Sequence, residues 1–430
     1  MSELGDLRAL LSELHAAGGC AHPVRLAGRS LDTATGEWFE GTVGVACKDR
    51  RAVVCPACAQ RYRSDAWHLV AAGLRGGKGI PATVAGHPAV FATLTAPSFG
   101  PVHARRSSGP CRPRRGDPRC PHGTALSCSV RHGADDPVLG EPVCAECFDY
   151  EGAVLWNAQL RPLWSQTRRL LSRRLAAAGA LTVRDAAAAL RLAYVKVAEF
   201  QRRGLVHLHA VVRADGATGP DTPPPEWLDA AVLAGALDDA VRSATAASLG
   251  GGALSWGSEL DVVPVAPGGA GDVSAIARYL AKYAVKSSEE SGVLARPVTS
   301  LRRLHALGLR PHAERLVETA WHLGGRSELA ELRLRAHAHT FGYRGHFATK
   351  SRRYSTTFGA LRQARAAYHG TGEEREGQWT YVGRGYRTPS AARLAEVIAE
   401  LRRDLPRRPP GVPHSLPAGY PVGRELGDRP

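Results

Sequence analysis

The sequence predicts an α+β fold, and three observations lead there. RLAYVKVAEF and LVHLHAVVRADG, both rich in β-branched residues, flank QRRG and read as a β-hairpin. Stretches with apolar residues at every third or fourth position, such as LRPLWSQTRRLLSRRLAAAG, read as helices interspersed with the strands. A chain of 430 residues with 44% hydrophobic and 22% charged content is long enough for two or three domains with a sizeable core.

Along the chain, residues 1–85 form a cysteine-bearing segment that opens on MSELGDLRAL, an expected amphipathic helix without the basic and apolar regions of a signal peptide. AVFATLTAPS (89–98) alternates like a strand and stops at Pro97. VHARRSSGPCRPRRGDPRC, rich in Arg, Pro, Gly and Ser, reads as a loop or inserted lobe, part of an insertion at about 105–150. Helical periodicity begins near Val154 and leads to the hairpin. ATGPDTPPPEW is then a turn, LDAAVLAGALDDAVRSATAAS a helix and LDVVPVAP a short strand. DVSAIARYLAKYAVKSS is a helix that Asp272 or Ser274 can cap. A core over 86–290 is thus expected, followed by a basic, mostly helical region over 291–402 and a disordered Pro/Arg-rich tail over 403–430.

A net charge of +16 and a pI near 9.8 point to a polyanionic partner, with nucleic acid the first candidate. No apolar run approaches the roughly 20 residues needed to span a bilayer, so no membrane partner and a cytoplasmic location are expected. Nine cysteines in a reducing compartment favour metal sites over disulfides. Cys55-Pro-Ala-Cys58 and Cys144-Ala-Glu-Cys147 each offer half of a tetrahedral Zn²⁺ site. Cys20 and Cys47 are the nearest candidates to complete the first. Cys111, Cys120, Cys128, His122 and His132 compete to complete the second, for which Cys120 and Cys128 are taken here; pairing across the two motifs remains open.

VHLHAVV places His207 and His209 on the same face of one strand, because strand side chains alternate. Two adjacent imidazoles make half of a divalent-cation site, and Glu199 on the preceding strand can supply an oxygen ligand. In RYLAKYAVKS, Tyr279 and Tyr283 share a helical face, each followed three residues later by a lysine, Lys282 and Lys286. Only six residues of the chain are lysines, and two stand here. Tyrosine is a covalent nucleophile when its phenol is activated, and lysines at this spacing can hold a phosphate.

The motifs FATLTAPS, His-hydrophobic-His and Tyr-x-x-Lys, in this order, resemble the HUH endonucleases that start rolling-circle replication. More narrowly, CPACAQRYRSDA, LTAPSFGPVHAR, EFQRRGLVHLHAVVR, YLAKYAVKS and GYRGHFATKSRRYSTTFGALRQAR resemble replication initiators of actinobacterial plasmids, from about Cys20 to Arg365. The resemblance implies an HUH core, an antiparallel sheet with flanking helices, carrying a zinc-binding N-terminal segment and insertion. It further implies Mg²⁺ or Mn²⁺ on His207, His209 and Glu199, and a 5′-phosphotyrosyl link to plasmid origin DNA. Tyr283 with Lys286 would be the primary nucleophile pair, Tyr279 with Lys282 the second, and Thr93 and Thr95 would support the sheet. A host helicase and DNA polymerase are the implied partners, since the chain has no Gly-x-x-x-x-Gly-Lys-Ser/Thr loop. Relaxases and transposases share the central motifs, but relaxases place the tyrosine ahead of the histidines. A zinc-stapled origin-binding regulator without nuclease activity is the remaining alternative.

The stretch 341–370 carries Arg344, Lys350, Arg352 and Arg353 and no acidic residue. Phe341, Tyr343, Phe347, Tyr354 and Phe358 interleave with these cations, a pattern suited to binding phosphates and stacking on bases.

Overall fold

The computed structural model describes residues 11–33, 35–265, 270–285, 292–294, 296–368 and 375–404. The expected helix MSELGDLRAL, Lys286 and nearly all of the expected tail lie outside them. The strands are β1 (Val24–Asp32), β2 (Trp38–Val45), β3 (Ala89–Leu94), β4 (Leu190–Phe200), β5 (Val206–Gly216), β6 (Thr245–Ala247), β7 (Ala253–Ser255), β8 (Leu260–Pro264), β9 (Ala348–Lys350) and β10 (Arg375–Arg384). With interspersed helices and antiparallel sheets, the chain is α+β. No helix among the described residues is long and apolar enough to cross a membrane.

By internal contact the chain divides into two units, which cut across the four segments expected from the sequence. The first gathers described residues of Met1–Ala85, Gly268–Ser287 and Arg352–His414; the second, those of Gly86–Pro267 and Ser288–Ser351.

The first unit holds an antiparallel sheet of order β10-β1-β2. The expected mostly helical C-terminal region therefore includes a strand, β10, whose QWTYV run suits a pleated surface. The helix Pro56–Arg75 opens on a proline at its first turn, where no N–H is missed, and buries Trp67, Leu69, Val70 and Leu74. Its Gly73 makes room for a ring: a Cβ there would come within 2.2 Å of Tyr354 Cε1. Tyr354 is fully buried, and its hydroxyl donates to the Val70 carbonyl at 3.1 Å. The helix Ala270–Val285 packs on Pro56–Arg75. It begins ahead of Asp272 and Ser274, the two residues expected to open it. The chain's last described helix, Pro389–Asp404, extends through Arg403, where the tail was expected to start.

The second unit is built on a five-stranded antiparallel sheet of order β8-β3-β5-β4-β9. Alternation along its strands separates two faces. Val90, Ala92 and Leu94 of β3, Ala198 and Phe200 of β4, and Val206, Leu208, Ala210 and Val212 of β5 join one core cluster. Leu163 and Leu171 of the helix Leu160–Ala178, and Leu233 and Leu237 of the helix Ala230–Ser243, belong to the same cluster. His207, His209 and Glu199 have the opposite parity and project from the other face. The β4–β5 hairpin closes at Gly204, whose φ of +75° and contact with Leu316 leave no room for a side chain. Asn157, fully buried, donates to the Gly204 carbonyl at 2.9 Å and accepts from the Val206 amide at 3.0 Å. The helix expected to run through Ser248 stops at Ser243, because Gly250, Gly251 and Gly252 turn the chain and pair β6 with β7.

Candidate functional site

Register sets the histidine site. His207 stands opposite Glu199, while His209 stands between Val197 of β4 and Thr93 of β3. The two imidazole centroids are 4.6 Å apart. His209 Nε2 lies 3.5 Å from Glu199 Oε2, and their side chains are 3% and 13% exposed. Thr93 Oγ1 is 3.3 Å from His209 Nδ1, and the Phe91 ring lies 10° from parallel with that imidazole. In the tautomer whose Nδ1–H donates to Thr93, Nε2 is left bare to take a cation beside the carboxylate. Thr93 thus contacts a candidate ligand directly. Two imidazoles and one carboxylate thus share one face of the hairpin, and these are ligand types that a divalent cation takes.

Behind His207 runs a chain of hydrogen bonds. The Gln201 amide nitrogen donates to His207 Nδ1 at 2.9 Å, and Arg203 Nε donates to Gln201 Oε1 at 2.8 Å. Arg203 also donates to the carbonyls of Pro97 and Ala96 at 3.2 and 3.0 Å. Burial draws its guanidinium down to about 10.

Tyr279 and Tyr283 belong to the first unit, whereas the histidines and Glu199 belong to the second. The helix Ala270–Val285 buries Val273, Ala277, Leu280, Ala281 and Ala284, leaving both tyrosines partly exposed with ring centroids 4.5 Å apart. Lys282 is exposed, its Nζ 5.6 Å from the centre of the Tyr283 ring. Arg50 donates to the Ala284 carbonyl at 3.3 Å, satisfying a group that the helix end leaves open.

Cys20, Cys47, Cys55 and Cys58 converge with all four sulfurs within 4.8 Å. The Cys47–Cys58 and Cys20–Cys55 sulfurs are 3.7 and 3.8 Å apart. A disulfide needs about 2.05 Å, whereas tetrahedral zinc–thiolate bonds of about 2.3 Å place sulfurs about 3.8 Å apart. Amides of Ala21 and Cys47 donate to the sulfurs of Cys55 and Cys20 at 3.3 and 3.2 Å. Hydrogen bonding from Cys47 draws the Cys20 thiol down to about 7, while Cys20 pushes that of Cys58 up. A second cluster joins Cys120, Cys144 and Cys147 to His122, whose Nδ1 is 3.3 Å from the Cys147 sulfur and 3.7 Å from that of Cys144. Cys128, grouped with those cysteines from the sequence, is not among them: His122 completes the set, and Cys128 lies against His132. Each cluster can hold a metal ion such as zinc.

Residues 6–400 match the family model for RepSA, described as Replication initiator protein, pSAM2. The chain belongs to the RepSA family of replication initiators. A replication initiator protein of Streptomyces ambofaciens is 42% identical to it over 446 aligned residues, which cover 92% of each chain. No solved structure matches the chain.

In this RepSA-family chain the basic stretch is only partly exposed. Arg344, Arg352 and Arg353 are exposed and Lys350, on β9, is half-buried. Phe341, Tyr343 and Tyr354 are buried at 0%, 5% and 0% exposure, so these rings pack the protein rather than await bases. Phe358 stacks on Tyr62 at 4.9 Å. Sequence reasoning missed Gln201 and Arg203; their place in the tight QRRG turn, directly before the histidine strand, was the available signal.

Proposed function

We propose that this RepSA-family initiator nicks one strand of a plasmid double-strand origin and carries the 5′ end on a tyrosine, as HUH rolling-circle initiators do. The observation that carries the reading is the His207–His209–Glu199 site, in register on a central hairpin of an antiparallel sheet in a replication-initiator family. The sheet and its helices are read as an HUH core, with the N-terminal cysteine cluster and the insertion as zinc-bound additions. His207, His209 and Glu199 would hold Mg²⁺ or Mn²⁺, which when bound polarises the scissile phosphodiester.

The chain's own residues do the rest. Tyr283 Oη attacks phosphorus, the P–O3′ bond breaks, and the departing oxygen takes up a proton to become the 3′-OH that primes a host polymerase. The phosphate remains diesterified, so phosphotyrosine formation is a transesterification that conserves the bond for religation at termination. Tyr279, at ring contact with Tyr283, is the second nucleophile. Lys282 and Lys286 neutralise the phosphate and favour the phenolates. Arg344, Lys350, Arg352 and Arg353 contribute phosphate contacts, and a host helicase supplies unwinding in the cytoplasm.

The test is a denaturing gel of purified protein with labelled single-stranded origin DNA and Mn²⁺. A covalent adduct is expected, lost with chelator, with His207→Ala and with Tyr283→Phe. Loss only in Tyr279→Phe would exchange the roles of the tyrosines. Tight binding with no adduct on any origin strand would overturn the nuclease reading in favour of an origin-binding regulator.

A further inference from the structure

Between Val102 and Cys147 the insertion has almost no apolar interior. Its buried residues are Cys111, Cys120, His132, Leu139, Gly140 and Cys144, so Leu139 is the only large aliphatic side chain among them. Regular structure there is confined to isolated bridges, such as Arg112 with Cys128 and Arg119 with Ala125, and one short 3₁₀ turn. A lobe of this kind needs another source of stability.

Cys128, left out of the cluster around His122, belongs to a separate one. His103, Cys111, Cys128 and His132 present four ligand atoms within 4.8 Å of one another. Cys128 Sγ is 3.5 Å from His132 Nε2 and Cys111 Sγ is 3.9 Å from His103 Nδ1. A tetrahedral zinc with sulfur at about 2.3 Å and nitrogen at about 2.05 Å sets that separation near 3.6 Å. An independent feature points the same way. Asp136 Oδ2 accepts from His132 Nδ1 at 2.7 Å, which fixes the tautomer that leaves Nε2 bare toward the sulfurs. A carboxylate behind an imidazole is the usual support of a zinc-ligating histidine. The Ala104 amide donates to Cys111 Sγ at 3.3 Å, as amides do toward thiolates.

We propose that His103, Cys111, Cys128 and His132 bind a second zinc ion in the insertion, with Asp136 as its supporting carboxylate, and that the two zincs cross-brace the lobe. Ligands of the two clusters alternate in pairs along the chain: His103 and Cys111, then Cys120 and His122, then Cys128 and His132, then Cys144 and Cys147. Each zinc therefore ties together segments that the other one spans, and neither loop opens while both ions are held. In place of an apolar core the lobe has two ions, each contributing folding free energy through binding. This inference stands independently of the nuclease reading.

The test uses the full-length protein, purified anaerobically, with zinc measured by plasma mass spectrometry against protein concentration. Three zincs per chain are expected, one for each Cys-bearing cluster, falling by at least one in Cys111→Ser/Cys128→Ser. Because that variant can lose the neighbouring ion as well, Asp136→Asn serves as the second arm. It should still load three zincs but release one to a chromogenic chelator at least tenfold faster, the usual scale for losing a supporting partner. Cobalt substitution should add the ligand-field bands of a two-sulfur, two-nitrogen site. Two zincs per chain in the wild type, or release from Asp136→Asn at the wild-type rate, would overturn the proposal.

Discussion

His207 Nδ1 accepts from the Gln201 amide, which places the ring proton of the neutral imidazole on Nε2. Holding a metal through Nε2 requires the amide to turn over, so that its oxygen accepts from Nδ1–H. Gln201→Glu removes that requirement, since a carboxylate only accepts and still pairs with Arg203. The Mn²⁺ concentration for half-maximal adduct formation should fall about tenfold in Gln201→Glu and rise about tenfold in Gln201→Leu. Equal metal dependence in all three proteins would remove Gln201 from the account. At this scale the paired histidines and Glu199 were legible, because strand alternation and hairpin pairing follow from local sequence. Gln201 was not, nor was the contact of Thr93 with His209, since those partners are set by the folding of strand on strand. Cys128 went to the wrong cluster for a related reason: spacing reveals zinc half-sites, but interleaving is a property of the folded loop.

Hairpin and helix meet at His312, near the start of the helix Pro311–Leu323. His312 Nε2 pairs with the Arg203 carbonyl at 3.0 Å in the hairpin turn, and its Nδ1 pairs with the Tyr150 hydroxyl at 3.1 Å. Burial draws its pKa down from 6.5 to about 4. The unfolded chain therefore takes up a proton below about 6.5 that the native protein refuses until about 4. The contribution of neutral His312 is fully present above pH 6.5 and is lost as pH falls through that window, amounting to about 3 kcal/mol at most. Urea midpoints from pH 7.5 to 4.5 should drop more steeply in wild type than in His312→Gln; parallel profiles would refute the assignment. Of the elements themselves, the central hairpin and the tyrosine helix announce themselves by period. The strand β10 does not, because its partner β1 lies more than 300 residues upstream and no local pattern records the pairing.

At the scale of the molecule, a net charge of +16 makes DNA affinity depend on salt through counterion release. Arg352 and Arg353 are exposed, and replacing both with Ala should lower the slope of log K against log salt by about two, with sequence preference retained. An unchanged slope would place the DNA elsewhere. Composition foretold the polyanion, and the motifs foretold a replication initiator; the division into units was hidden, because the first is assembled from three separate stretches of chain. That assembly has a consequence in time. The central strand β1 leaves the ribosome early, but its neighbour β10 follows only after about 350 further residues, an interval on the order of 20–70 s at ordinary elongation rates. Throughout it one edge of β1 is open to other nascent chains, and the sheet that shares a unit with the tyrosine helix is unfinished. Truncated products ending before Arg375 never complete it, so translation itself withholds the finished sheet until β10 has been made.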